Sequence, residues 1–390
     1  MEVLFTPEGL LSLLMLATLE IVLGVDNLVF ISIAVSRLPQ ERRSEARKFG
    51  LALACITRIG LLMSLAWLAR MKAPLFMSSG DAPGPGGVQN GRRQQPTGPS
   101  TMQFGMTIAF TDPADYVPLA VAAEENGFSA ITLPDHLIYP QQLSRPYPYT
   151  ADGVPRFTPD DPFADPWLSA VAMATATRKL WFYTSVFVLP ARNPVHVAKI
   201  LASAACLTGD RIALGAGRGW MPEEFRIGEQ AFEQRGKRAD EMIEVMRKLW
   251  SGDWVEHHGE FYDFAPVKMR PAPGRPIPIY VGGFSKPALR RAARNDGWIA
   301  DLHTLKELEA LIGEVRGYRA EAGKADEPFR ILSFGCSDAW GADGFRAMRD
   351  LGVDVVSTMP GVFYGVDLKA PVAQKTDAMK RFADDVIAKI

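Results

Sequence analysis

The pattern of apolar and polar positions changes twice along the chain. From Leu10 to Ile33 the run LLSLLMLATLEIVLGVDNLVFISI is interrupted strongly only by Glu20, Asp26 and Asn27. About 20 such residues cross a bilayer core, so the run predicts a membrane helix. Leu51 to Leu68, with Arg58 inside it, predicts a second. Arg37, Arg42, Arg43, Arg47 and Lys48 lie between the two runs and set that loop on the cytoplasmic side. No basic region precedes the first run, which argues against a signal peptide. A buried helical hairpin is the alternative for 1–76. Glu20 and Asn27 share a helical face and Asp26 lies on another, leaving Arg58 as the candidate counter-ion.

Residues 77–101 hold six glycines and four prolines and no apolar period, which predicts a flexible linker. Met102 then opens a strand-like segment. Eight short apolar or β-branched runs follow: Phe104 to Ile108, Ala130 to Leu133, Trp181 to Leu189, Ile212 to Gly215, Ile277 to Val281, Trp298 to Ala300, Arg330 to Phe334 and Val353 to Thr358. Amphipathic stretches such as NPVHVAKILASAACL and KRADEMIEVMRKLW separate most of them. Strand and helix in alternation predict a parallel sheet, and eight units over 102–390 predict a (β/α)8 TIM barrel in the α/β class. An open Rossmann sheet is disfavoured because no GxGxxG opens a helix after the first strand. Residues 137–166 and 251–276 are longer than a plain connection requires and are expected to form binding surfaces.

Composition narrows the function. With 43 basic and 44 acidic residues the net charge is −1, so no global basic field exists to hold nucleic acid. The three cysteines, Cys55, Cys206 and Cys336, lie too far apart for a CxxC pair or a stapled scaffold and fit a reducing compartment. The histidines form no metal triad, and no metal site is expected. The chain is expected in the membrane if 1–76 is translated and in the cytoplasm otherwise.

Barrel chemistry sits at the C-terminal strand ends. Asp135 and His136 follow the second strand, Ser185 and Val186 lie in the third, Gly217, Gly219 and Trp220 close the fourth, and Gly282, Gly283, Phe284 and Ser285 close the fifth. A glycine pair ahead of a helix exposes backbone N–H groups where the helix dipole favours an anion, making Gly282 to Ser285 a phosphate site. A tight turn explains the same glycines equally well from spacing. His136 is the candidate proton carrier. His303 beside Asp301 is a second pair of interest. Glu223 and Glu224 read as dipole partners of an early helical turn, with an acid that reaches into the site as the alternative. Arg235, Lys237 and Arg238 read as surface charges, with contact to a cofactor tail as the alternative.

Two resemblances are carried by motifs. LEIVLGVDNLVFISIAVSRLP followed by RRSEARKFGLALACITRIGLL resembles the opening of the TerC family of integral membrane proteins, linked to tellurite resistance and metal-ion export. Members have further spans and acidic motifs, none of which follows residue 76, so the fragment is expected to be an anchor remnant or fusion, with a transport fragment carrying a passenger barrel as the alternative. GFSAITLPDH, SVFVLPARNPVHVAK, RIALGAGRGWMPEEF, GKRADEMIEVMRKLW, GEFYDF, RPIPIYVGG and DGW resemble the luciferase-like monooxygenase superfamily, on its deazaflavin-dependent branch.

That second resemblance implies a TIM barrel holding the deazaflavin cofactor F420, or alternatively reduced FMN with oxygen as a monooxygenase. It implies a ring over a strand bulge at Ser185 and Val186, where members often carry a non-prolyl cis peptide. It implies ring contacts at Asp135 and at Gly217 to Trp220, and a phosphate cradle at Gly282 to Ser285. His136 would be the proton carrier, or merely a hydrogen-bond partner of the ring. Trp220 stands where some relatives have an acid. The expected reaction is hydride transfer with a small organic substrate, by a chain that pairs as a homodimer in many relatives.

Overall fold

The computed structural model describes residues 102–390; the expected membrane hairpin (1–76) and linker (77–101) lie outside the described residues. The chain divides into two units, Met1–Arg93 and Gln94–Ile390, and the description that follows concerns the second. No helix among the described residues is long and apolar enough to cross a membrane.

Eight parallel staves close on themselves. β1 (Gln103–Thr107) pairs with β2 (Ala130–Leu133), and β2 with β3 (Trp181–Thr184). β3 continues past a break into the two-residue β4 (Phe187–Val188), and both pair with β5 (Ile212–Gly217). The short antiparallel hairpin of β6 (Trp254–His258) and β7 (Asp263–Lys268) stands outside the barrel. β8 (Ile279–Gly282), β9 (Gly297–Ala300), β10 (Arg330–Ser333) and β11 (Val355–Thr358) complete the circle, with β11 returning to β1 at Phe104–Val356. All eight runs expected from the sequence are staves of this barrel.

The helices begin and end where local chemistry sets them. α1 (Tyr116–Glu125) follows β1, and α2 (Pro166–Ala176) is capped by Asp165, whose carboxylate accepts from Trp167 and Leu168 N–H. α3 (Pro194–Thr208) has Asn193 as its cap, proline at its first position and Gly209 in the left-handed conformation at its end. α4 (Pro222–Ile227) and α5 (Arg235–Trp250) follow β5, and α6 (Lys286–Ala293) follows β8. α7 (Leu305–Glu321) starts in a complete Thr304/Glu307 capping box, and α8 (Gly341–Leu351), α9 (Pro360–Phe363) and α10 (Val372–Asp385) finish the ring.

Most of the core lies between the strands and these helices, for example Phe104, Phe345 and Phe382 in edge-on contact at 5.3–5.9 Å. The barrel interior is a separate small cluster of Ala130, Tyr183, Ala213, Tyr280, Ile299, Leu332 and Val355. Below the mouth it contains a polar knot in which Thr132 and Ser357 hydroxyls meet at 3.0 Å and the Tyr183 hydroxyl joins Ser357.

The two long connections differ in kind. Residues 137–165 form an irregular loop over the C-terminal mouth. Residues 251–276, expected to share in the binding surface, contain the β6–β7 hairpin, and none of them lines the mouth cavity. The cause is chain order: an insertion between a helix and its following strand emerges at the N-terminal pole, away from the strand ends that carry chemistry. His257 there is buried against Glu241 and Lys248, both at 3.1 Å.

Candidate active site

Local chain geometry builds the mouth around the break in the third stave. The Ser185–Val186 peptide bond is cis, at the position the motif reading expected. Thr184 steadies the break: its hydroxyl donates to the Gly215 carbonyl at 2.9 Å and accepts from the Gly215 N–H at 3.1 Å. Val186 then projects between two glycines. A Cβ on Gly217 would lie 2.3 Å from Val186 Cγ2, and one on Gly282 would lie 2.5 Å from Val186 Cγ1. These glycines are therefore sites of close approach as well as turns. Gly219, with φ +73°, is enclosed by Phe225 and Val188.

The expected site residues come together. His136, Ser185, Val186, Gly217, Gly219, Trp220, Gly282, Gly283, Phe284 and Ser285 all line one cavity of about 1070 Å³ at the C-terminal mouth, as does Asp135. The Asp135 carboxylate is nevertheless occupied behind the bulge. It takes a two-pronged contact from Arg192, at 2.7 and 2.8 Å, and the Val188 N–H at 2.8 Å. Burial pushes its carboxyl up, with the Arg192 guanidinium and Val188 N–H pulling the other way. Asp135 thus braces the backbone on which Val186 stands.

His136 is partnered by one of the two acids read mainly as dipole partners. Its Nδ1 lies 3.0 Å from Glu224 Oε1, which also accepts the Leu137 N–H at 2.7 Å. Glu224 is fully buried at the start of α4, and its neighbour Glu223 accepts the Ser144 N–H at 2.9 Å. The two acids are therefore more than dipole partners: one holds the histidine and both fasten the 137–165 loop. Burial raises the Glu223 carboxyl, but the Ser144 bonds and Arg226 outweigh it and bring it below its usual range. A third tie is Arg156, whose guanidinium donates to Asp301 at 3.0 and 3.3 Å.

Aromatic rings enclose His136. Phe157 lies 4.8 Å away, Phe163 5.1 Å and Trp220 6.3 Å between centroids, and Tyr147 meets Trp220 edge-on at 5.2 Å. Burial pushes the Tyr147 phenol up to about 12, so it remains a neutral donor at physiological pH. Phe157 and Phe163 escaped the sequence reading because the loop has no periodicity to read. Thr107, at the end of β1, was also missed, and only its strand-end position could have marked it. Its hydroxyl is buried and without a hydrogen-bond partner among the described residues, yet the residue lines the cavity.

Three charges expected at the surface separate. Lys237 is exposed near Glu260, Arg235 lines the cavity, and Arg238 is buried with its guanidinium on the Pro190 carbonyl at 2.9 Å. His303 sits beside Phe284 with a buried, unpartnered Nε2, and burial lowers its basicity. Asp301 turns instead to Arg156. His196 is exposed on α3.

The residues suit a flat phosphorylated ring. The cavity is large enough, Gly217 and Gly282 make room for the Val186 platform, and the Thr107 hydroxyl, unpartnered among the described residues, would be free to bond a polar ring edge. Gly283 adopts φ +112°, its carbonyl takes the Trp298 indole N–H at 2.8 Å, and Ser285 starts α6 without a side-chain cap. In the first turn of α6 Pro287 has no N–H, which leaves those of Lys286 and Ala288 as the donors for an anion.

The barrel thus gathers a histidine–carboxylate pair, an aromatic enclosure and a cis-peptide bulge in one mouth. Residues 89–375 match the luciferase-like monooxygenase family, and the chain belongs to that family. It is an oxidoreductase, and its relatives include F420-dependent enzymes. Residues 5–80 separately match the integral membrane protein TerC family. An uncharacterized Mycobacterium tuberculosis protein is 43% identical over 291 residues, 74% of this chain and all of that one. An F420-dependent glucose-6-phosphate dehydrogenase of Gordonia bronchialis is 34% identical over 57% of this chain and 62% of its own length. Among solved structures, an F420-dependent secondary alcohol dehydrogenase in complex with an F420-acetone adduct shares the fold at TM-score 0.59 and 16% identity, over 74% of this chain and 99% of that one. Monooxygenase RslO1 from Streptomyces bottropensis does so at TM-score 0.54 and 22% identity, with the same coverage.

Proposed function

We propose that the barrel is an F420-dependent oxidoreductase acting on an apolar organic substrate. The observation that carries this reading is the buried Glu224–His136 pair opening into an aromatic enclosure beside the Val186 platform. When bound, the deazaflavin supplies or accepts the hydride.

The protein's own work is then binding and proton handling. Ser185, Val186, Gly217 and Gly282 form the surface for the ring, Gly219 and Trp220 close its side, and Gly282, Gly283, Phe284 and Ser285 take its phosphate. His136, with Nδ1 held by Glu224, presents Nε2 for the proton that a carbonyl or alcohol oxygen gains or loses. Asp135 positions the bulge through Arg192 and Val188. Phe157, Phe163 and Trp220 surround this proton carrier, and Tyr147 packs on Phe157 and Trp220, which favours apolar substrates and excludes water. Trp220 stands at the fourth-stave position instead of an acid, and Asp135 and Asp301 are paired with Arg192 and Arg156, so His136 is the proton carrier of this reading. The domain limits 1–76, 77–101 and 102–390 belong to the same proposal, with 1–76 a membrane fragment outside the catalytic unit.

Fluorescence titration of the purified full-length chain with F420 and, separately, FMN tests this. Saturable binding of F420 with weak or absent FMN binding is expected. FMN alone binding would instead support an FMN-dependent monooxygenase, and binding of neither would remove the enzyme mechanism.

A further inference from the structure

The rim of the cavity carries a cationic cluster that proton handling leaves unused. Arg145 comes from the 137–165 loop, Arg218 directly follows β5, Arg235 opens α5, and all three line the cavity. Arg145 and Arg235 both lie over the Phe232 ring, 4.9 and 3.7 Å from its centroid, so one ring holds two guanidiniums near each other. Arg235 is fixed further by its bonds to the Gly219 carbonyl at 3.1 Å and the Phe232 carbonyl at 3.2 Å.

None of the three forms an ion pair among the described residues. The neighbouring acids are committed elsewhere: Glu223 to Ser144, Glu224 to His136 and Leu137, Asp301 to Arg156. Glu233 offsets part of the charge on Arg235 without forming an ion pair with it. Burial, then Arg218 and Arg145, bring the Arg235 guanidinium down to about 10, as expected of cations crowded without counter-charge. Guanidiniums held together in this way are built for carboxylate or phosphate oxygens.

Their place in the cavity identifies the kind of anion. Arg218 leaves the end of β5, which pairs with β8 at Ala216–Val281, and Arg291 of α6 donates to the Gly236 carbonyl beside Arg235 at 2.8 Å. The cluster therefore adjoins the Gly282–Ser285 side of the mouth. His136 lies among Phe157, Phe163 and Trp220, and the one guanidinium paired near the loop's far tie, Arg156, is neutralised by Asp301. An anion reaching the cluster continues outward from the phosphate cradle.

We propose that Arg145, Arg218 and Arg235 form an anion site for the acidic tail of the ring cofactor, a chain carrying carboxylates beyond its phosphate, and that this site selects a long-tailed deazaflavin over a cofactor ending at a phosphate. The proposal rests on the deazaflavin reading above. An anionic substrate is the other source of such oxygens, and the test separates the two.

The purified full-length chain is titrated by fluorescence with F420 bearing its oligoglutamate tail and with its parent that keeps the phosphate but carries no glutamate. Because Arg235 also bonds to backbone, the first variant is Arg145→Gln/Arg218→Gln, and the triple variant with Arg235→Gln follows. The double variant is expected to weaken F420 binding about tenfold, and the triple variant by ~10- to 100-fold, with affinity for the parent unchanged. Wild-type F420 affinity should also fall as salt rises from about 0.05 to 0.5 M, the parent's much less. Unchanged F420 affinity in both variants, or equal loss for F420 and the parent, overturns the tail site while leaving the deazaflavin reading in place. Failure of the wild-type chain to bind either compound removes that reading and the tail site with it.

Discussion

Replacing Gly217 with alanine sets a Cβ 2.3 Å from Val186 Cγ2 and 3.1 Å from Val186 Cβ. Valine is stiff about χ1, and Gly282 confines its other methyl, where a Cβ would stand 2.5 Å away. Val186 cannot turn aside without meeting the opposite wall, so Gly217→Ala should cost about 1–3 kcal/mol through overpacking. Val186→Ala alone removes two half-buried methyl groups, worth about 1 kcal/mol. If the glycine exists to admit this side chain, the penalties do not add. In the double variant the 2.3 Å clash is gone and only the 3.1 Å approach to the Cβ of residue 186 remains, while a less flexible unfolded chain returns ~0.4–1 kcal/mol. Its stability should match or exceed that of Val186→Ala, giving a coupling of about 1–3 kcal/mol. Urea unfolding of the four proteins, followed by tryptophan fluorescence and circular dichroism together, measures the cycle. Additivity within ~0.5 kcal/mol would show that Gly217 does not serve Val186 and would refute the platform.

Other consequences follow from the braces around the site. Arg192→Ala leaves the Asp135 carboxylate buried with only the Val188 N–H and should cost about 3–5 kcal/mol, read from the same unfolding curves. Glu224→Gln should retain F420 affinity but slow turnover ~10- to 100-fold, because the charged hydrogen-bond partner of His136 is lost; weaker cofactor binding with unchanged turnover would contradict that role. Glu223→Ala should speed amide hydrogen exchange at Ser144 and its loop while leaving the staves protected. Glu124, Glu223 and Glu241 are each held below the ordinary carboxylate range: burial opposes ionisation, but N–H bonds from Arg178, Lys179 and Leu180, from Ser144, and from Phe261 and Tyr262 outweigh it. Since their folded values are depressed, their stabilisation is complete above pH ~5 and disappears as pH falls through those values. Unfolding midpoints measured from pH 7 to pH 3 should decline only in the acid part of that range.

The staves were legible because each is a short apolar run between readable helix signals. Asn193-Pro194 starts α3 and Gly209 ends it by rules that need no tertiary information. The strand-end position also located His136 and the glycines of β5 and β8. Contacts between distant segments were not legible. Glu224 is 88 positions from His136, and nothing in its local sequence separates a histidine partner from a dipole partner. Asp135 was expected at the ring, yet Arg192 claims its oxygens from across the third stave's break. The 251–276 segment looked equivalent to 137–166 in length and aromatic content. Only its place in chain order, after a helix instead of a strand, puts it at the opposite pole.

The most direct measurement is a crystal structure of the chain grown with F420. Ring density against Ser185–Val186, within reach of His136 and Thr107, with the phosphate at Gly283 to Ser285, is the predicted result. Ring density elsewhere, or none at a fully saturating concentration, would contradict the assignment of this mouth as the seat of the redox chemistry.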